Sequence, residues 1–301
     1  MKLRLTSLLI FSFVIQGFAQ SLEEVPFDRI WQGKIEYLAP EETSFDWDKK
    51  GRVLVFSLAT GFKHWVIPHT DEMVRVLGEK SGAFEVDRSV DIRMFELESL
   101  KSYDAIVLNN TCSERQYRNL FWDQLKRISN GDSAAMMSKA VELENNLIQY
   151  VEEGGGLMVL HGAITLLNQS EEFSELVGAS FDYHPPQQEI QVRLSDPNHP
   201  LVQAFPIEGF THVDEPYFYN GAYENADFKS LLHFENASIE SQRVGQILSE
   251  GITSAAWIRE QGNGRVMYCA PSHNAQSYDN PDLLRFYLDA LQWVSGQVTF
   301  D

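Results

Sequence analysis

Short unbroken apolar runs alternate along this chain with longer segments whose apolar residues recur every three or four positions. The runs at 52–57 and 157–160 are too short for helices and predict central strands of a parallel sheet, buried on both faces. Residues 84–86 and 103–109 predict two more strands. Met136, Ala140, Leu143, Leu147 and Val151 stand at steps of 4, 3, 4 and 4, the apolar stripe of an amphipathic helix. An earlier helix is predicted from Pro68, an N1 proline, to about Lys80. Strand, helix, strand, strand, helix, strand is the rhythm of a doubly wound α/β sheet.

Beyond residue 160 the rhythm changes. Residues 189–194 alternate, with Ile190, Val192 and Leu194 on one side, as in a half-exposed strand. Residues 196–200 read as a turn, and Gly262-Asn263-Gly264 joins 255–259 to 265–270 as a hairpin. A last helix begins with Asn280 as N-cap and Pro281 at N1, and carries Leu284, Leu288, Leu291 and Ser295 on one stripe. Residues 113–135 are charged and aromatic, with a break at 130–133, and read as an insertion with its own short helix. Residues 20–50 are polar and aperiodic, a lead-in to a domain spanning 51–297. No internal repeat or low-complexity segment is visible.

The most informative stretch is Gly154-Gly155-Gly156-Leu157-Met158-Val159-Leu160-His161-Gly162-Ala163. The glycines stop a helix, the apolar run makes a strand, and His161 follows on a tight glycine turn. Ligands in open α/β sheets gather at the carboxyl ends of strands, which sets a functional role for His161 against that of a hydrogen-bonded core histidine. If the first strands are parallel, His64 and the group Asn109-Asn110-Thr111-Cys112 share that rim. His184, the cluster His212-Val213-Asp214-Glu215, and His273 after the strand at 265–270 complete the candidates. Three histidines from separate strand ends plus a carboxylate suit a divalent metal with an open position, and His64, His161 and His273 are the candidate ligands. The same histidines suit general acid–base chemistry near neutral pH. Asp214 and Glu215 are adjacent, so in an extended strand only one faces the site and the other reads as a solvated acid. His199 reads as a surface turn residue, and His69 and His233 as structural. No Gly-x-Ser-x-Gly elbow, phosphate-binding loop or His-Glu-x-x-His motif is present.

Composition adds three constraints. The chain has 301 residues and a formal charge of −19. That charge argues against nucleic acid and anionic membranes as partners and favours a neutral or cationic small ligand. Residues 1–19 carry Lys2 and Arg4, an apolar core at 5–14 and small residues before Ala19, the pattern of a signal peptide cleaved after Ala19. Export to a periplasm is expected, and loss of the two basic residues takes the charge from −19 to −21. The two cysteines, Cys112 and Cys269, form no scaffold or metal motif, and they either pair in an oxidising compartment or stay separate buried thiols.

Several segments together resemble the ThuA-like, trehalose-utilisation family: 53–64, 154–163, 176–185, His199-Pro200, Asp214-Glu215-Pro216-Tyr217, and 256–273. The matches run in order across about 52–296. The resemblance implies a fold similar to class I glutamine amidotransferases: a flavodoxin-like, mainly parallel sheet with helices on both faces, here with an added antiparallel hairpin region. At the turn where those enzymes carry a nucleophilic cysteine this chain has His161, so thiolate chemistry is not expected. The chain departs from the family pattern at Cys112, at Ser272 and in the insertion.

The resemblance further implies carbohydrate processing, of the lyase, hydrolase or isomerase type, on glucosides or 3-keto-glucosides. A 3-ketone acidifies neighbouring C–H bonds, so a histidine base and an acid could break the glycosidic link by elimination. His161 would be base or metal ligand, with His64, His184 and His273 around it and Asp214 or Glu215 as acid or orienter. Asn110, Thr111, Tyr217, Trp257 and Arg259 are the expected substrate contacts. A non-catalytic sugar-binding protein and a metal-dependent hydrolase of another small substrate are the alternatives.

Overall fold

The structure, a computed structural model, describes residues 22–129, 131–240 and 251–300. The expected signal peptide lies outside the described residues. In chain order the elements are α1 (Arg29–Leu38), β1 (Gly51–Phe56), α2 (Ile67–Ser81), β2 (Phe84–Ser89), α3 (Leu97–Leu100), β3 (Ala105–Asn109), α4 (Leu120–Ile128), α5 (Ser133–Glu152) and β4 (Gly156–Leu160). There follow α6 (Glu171–Val177), β5 (Ser180–Tyr183), β6 (Gln188–Leu194), β7 (Phe210–Asp214), β8 (Phe218–Asn220), β9 (Lys229–Glu235), β10 (Ile252–Gln261), β11 (Gly264–Cys269) and α7 (Pro281–Val294).

Nine strands form one sheet in the order β2-β1-β3-β4-β11-β10-β9-β6-β7, and β5 pairs with β8 separately. From β2 to β11 every pairing is parallel; from β11 to β7 every pairing is antiparallel. The expected doubly wound sheet is therefore present, with the hairpin β10–β11 turning it from one regime to the other. Alternation along each strand splits the core into two layers. Val53, Val55, Met158 and Leu160 pack toward α2 and α7. Leu54, Phe56, Leu157 and Val159 pack toward α4, α5 and α6. Both layers are apolar, which is why the central strands read as unbroken hydrophobic runs.

Two sequence expectations need correction here. The lead-in segment is not featureless: Asp28 caps α1, and Trp31 and Ile35, one turn apart, are buried against the core. The three glycines do not act together as a helix stop. Gly154 takes a left-handed backbone after α5 (φ 118°), whereas a side chain at Gly156, already in β4, would stand 2.1 Å from the Val294 carbonyl oxygen.

Candidate functional site: a histidine and glutamate cluster at the sheet edge

Four chain segments deliver the site, each from the carboxyl end of a strand. His64 lies on the loop after β1, His161 directly follows β4, His273 follows β11, and Glu215 follows β7. The donor atoms of these four residues lie within 4.8 Å of one another. Ring centroids of His64, His161 and His273 are mutually 5.0–5.2 Å apart.

The local structure explains this convergence. His161 holds φ at 47°, a left-handed conformation rare for a side chain of this size, and opens a 3₁₀ turn over His161–Thr165. Asn110, also left-handed at φ 50°, accepts a hydrogen bond from Gly162 N–H (3.3 Å) and donates to the Ser272 carbonyl (3.4 Å). One amide side chain thus stitches together the ends of β3, β4 and β11. Asn109 donates to Asp71 Oδ1 and the Ile67 carbonyl, tying β3 to α2.

The hydrogen bonds constrain the protons. His161 Nδ1 stands 2.9 Å from the Ala270 carbonyl oxygen, which can only accept, so Nδ1 carries a proton. Its Nε2 is buried and 3.4 Å from Glu215 Oε2, longer than an ordinary N–H···O hydrogen bond. His273 Nε2 lies 3.5 Å from Glu215 Oε1, and His184 Nδ1 3.7 Å from the same oxygen. Burial pushes the Glu215 carboxyl up, but the His161 contact and the charges of His273 and His184 outweigh it and hold the group at about 2. Burial and the neighbouring imidazoles lower His64 well below the ordinary histidine range and bring His273 to about 4.

Above the cluster lies a cavity of ≈ 560 Å³, with His64, Cys112, Glu215 and Tyr217 at its base. His184 stands at the wall, its side chain 36% exposed and stacked on Tyr217, whose ring lies 4.3 Å from that of His161. His161 and His273 sit behind this surface.

Of the adjacent acids, Glu215 faces the histidines. Asp214 is not solvated, as the other acid was expected to be: it is buried, accepts from Glu215 N–H, and lies 3.7 Å from His212. Burial pushes Asp214 up to about 7 and His212 down to about 4, so both are neutral between those two values.

Other expected contacts fall elsewhere. Trp257 is fully buried and donates its indole N–H to the Val177 carbonyl; its flat faces pack against Phe228 and Tyr268, not a sugar. Arg259 donates to the Glu175 carbonyl and lines a different cavity with Lys229 and Trp293. Asn110 and Thr111 are fully buried beneath the rim, where Asn110 positions other groups. Tyr217 does line the cavity. His199 is not a surface residue: it is buried, and its Nδ1 accepts from Leu201 N–H.

Cys112 and Cys269 are both free and buried. Cys112, far from His161 in sequence, packs beside it in space, with Sγ 3.3 Å from the Gly162 carbonyl and 3.7 Å from His64 Nδ1. Burial pushes its thiol up to about 11, so it is no thiolate nucleophile. Sequence reasoning missed Gln187, whose amide nitrogen is 2.9 Å from His273 Nδ1, and Arg115 and Arg118 on the cavity wall. Only the position of the two arginines just beyond the end of β3 could have flagged them.

Comparisons with known proteins bear on the whole domain. A protein described as ThuA-like from Bacteroides uniformis superposes with a TM-score of 0.61 at 19% identity, over 83% of this chain and 94% of its own. One from Parabacteroides merdae gives 0.59 at 18% identity, over 84% and 93%. A cytoplasmic protein from Salmonella typhimurium gives 0.53 at 13% identity, over 81% and 98%. These likenesses establish the fold. No curated protein sequence matches the chain significantly. The family model for ThuA, trehalose utilisation, matches residues 52–294, and the chain belongs to that family.

Proposed function

We propose that this protein is a carbohydrate-processing enzyme whose reaction centre is the His64–His161–Glu215–His273 cluster holding a divalent first-row metal ion. One observation carries the reading. His161 commits Nδ1–H to the Ala270 carbonyl, so in its neutral form the ring would present its Nε2 lone pair to a buried carboxylate oxygen at 3.4 Å. Two acceptors that close repel unless a cation lies between them. A tetrahedral ion with bonds of about 2.0–2.1 Å holds its donors about 3.3–3.4 Å apart. Glu215 Oε2 stands 3.4 Å from His161 Nε2 and Glu215 Oε1 3.5 Å from His273 Nε2, each near that spacing, while the four donors together lie within 4.8 Å of one another. A bound ion would polarise a sugar oxygen or water reaching it from the cavity. His184, at the wall, is placed to exchange a proton with substrate. Family membership supports carbohydrate as the substrate class, and glucosides oxidised at C3 are the specific substrates proposed.

A second reading, metal-free acid–base chemistry, is favoured by Gln187. Leu22 N–H donates to Gln187 Oε1 (2.8 Å), which turns the amide nitrogen toward His273 Nδ1 (2.9 Å). The His273 proton then belongs on Nε2, facing Glu215, and a proton between His161 and Glu215 replaces the ion.

Elemental analysis of the purified protein, with turnover of ordinary and 3-keto disaccharides, separates the readings. Stoichiometric metal, with activity lost on chelation and restored by the ion, supports the first. Turnover without metal that disappears in His161→Ala supports the second. Equal turnover by native protein and His161→Ala defeats both, and sugar binding without any turnover makes this a binding protein. We also propose export: a mature N-terminus at Gln20 in cell-envelope fractions supports it, and an intact residue 1–19 segment overturns it.

A further inference from the structure

The cavity above the cluster is lined by two arginines, Arg115 and Arg118, and by two acids, Glu114 and the ionised Glu215. Arg118 is half-buried and lines both this cavity and a neighbouring one of ≈ 410 Å³, and Arg115 is exposed at the first. Its guanidinium makes one marginal contact, 3.5 Å to the Ser113 carbonyl, and forms no ion pair with a carboxylate among the described residues. Glu114, the nearest acid in sequence, is engaged by Arg127 instead. Burial lowers Arg118 from its usual value, and Arg115 acts in the same sense. The groups acting the other way, the Cys112 thiol and the Tyr217 phenol, are pushed up by burial and stay neutral at pH 7.

The backbone makes the placement deliberate. Arg118 sits at φ 49°, a strained conformation for a residue with a side chain, which persists where surrounding structure fixes it. The opposite side of the cavity is apolar. Phe62 is 67% exposed with its ring 4.7 Å from that of His64, and Phe181 lies against Tyr217. The cavity thus offers a flat apolar face, a reactive base and a guanidinium fork with open donors.

We propose that Arg118 binds a carboxylate on the substrate, so that the sugar processed here is an acidic glycoside of the uronoside class. The inference rests on the carbohydrate reading above and narrows it. A planar guanidinium matches a carboxylate with two parallel hydrogen bonds, which a neutral hydroxyl cannot supply. The chain's net charge of −19 predicts the opposite ligand, but recognition inside a cavity follows the donors that face the ligand, and the Arg118 guanidinium has no ion pair among the described residues.

Calorimetric titration of methyl glucuronide and methyl glucoside tests this, using native protein, Arg118→Gln, Arg118→Lys and His161→Ala. The native protein is expected to bind the glucuronide more tightly. Arg118→Gln should weaken glucuronide binding roughly 10- to 100-fold and leave glucoside binding unchanged, which also shows that the variant is folded. Arg118→Lys should fall between, because it keeps the charge and loses the fork. His161→Ala should retain the glucuronide preference. Equal native affinity for the two sugars, or native-like glucuronide binding by Arg118→Gln, overturns the proposal and leaves the carbohydrate reading standing. If neither sugar binds, both fall.

Discussion

Gly162→Ala tests how the site is held. A β-carbon at this position would stand 2.6 Å from Cys112 Sγ, 2.6 Å from His64 Cε1 and 3.2 Å from His64 Nδ1. Ordinary contacts between such atoms are about 3.5–4.0 Å, so both neighbours must retreat by close to an ångström. Neither has room. Cys112 is buried with Sγ against the Gly162 carbonyl, and His64 is buried with its ring edge-on to those of His161 and His273. Gly162 is not among the positive-φ residues, so the effect is steric and not conformational. Overpacking of this kind costs roughly 1–3 kcal/mol, which in a domain of this size lowers Tm by roughly 2–10 °C. The displaced group is a candidate ligand, so metal affinity and turnover should fall further than stability. Adding Cys112→Ala removes one of the two clashes: the double variant should recover part of the melting temperature, but not the site, because the His64 contact remains. Calorimetric melting and metal titration of the native protein and the two variants decide it. Native melting and native metal binding in Gly162→Ala would refute the idea that the glycine turn and His64 are fitted to each other.

Acid should destabilise the protein well above the carboxylate range. His273 and His212 fold with values near 4, below their ordinary 6.5, so the unfolded chain binds more protons between those limits. Stability should fall as pH drops from about 6.5 to about 4, by up to about 3 kcal/mol per group, read from urea midpoints across that range. Asp214, folded near 7 against 3.8, has the opposite sign: its penalty appears as pH rises through that window. Asp214→Asn should therefore raise stability above pH 7 and change little near pH 4, and a uniform shift across pH would contradict the neutral pair with His212. Cys112→Ser should keep most of the turnover, and the native thiol, at about 11, should resist iodoacetamide at neutral pH until the protein is unfolded; rapid labelling of the folded protein would count against this.

Most of the sheet was legible because its strands obey a strict rule. β1, β3 and β4 are buried on both faces, and an unbroken apolar run has few other uses at that length. α5 announces itself by its stripe and α7 by stripe and cap, and Asn280 does accept hydrogen bonds from Asp282 and Leu283 N–H. α1 was missed because its stripe is short: Trp31, Ile35 and Leu38 turn inward over ten residues, and the exposed Ile30 and Tyr37 blur the pattern. The order of β9, β6 and β7 beyond the hairpin was also illegible, since antiparallel partners distant in sequence leave no local mark.

The site was legible in its histidines and illegible in everything that holds or surrounds them, for a reason rooted in distance. His64, His161 and His273 each follow a strand, and parallel strands bring their carboxyl ends to one rim whatever their separation in sequence. Residue type plus strand end was therefore enough. For Glu215, adjacency to Asp214 said that one acid would turn in, yet not which. The choice depends on the partners of β7, which carries Asp214 at its last position and buries it beside His212. Trp257 shows the converse error. Its aromatic face suggested a sugar platform, but it lies mid-strand in β10, where both faces of the sheet are packed, and the cavity is reached from the main sheet by residues past its strand ends. The same rule brings in Arg118, on the connection between β3 and α4, and sets aside Arg259 in the body of β10. Net charge is the weakest guide of all, because it sums over a surface that the ligand never meets. What a ligand meets at this rim is a guanidinium with no ion pair among the described residues, an aromatic ring and an imidazole–carboxylate cluster.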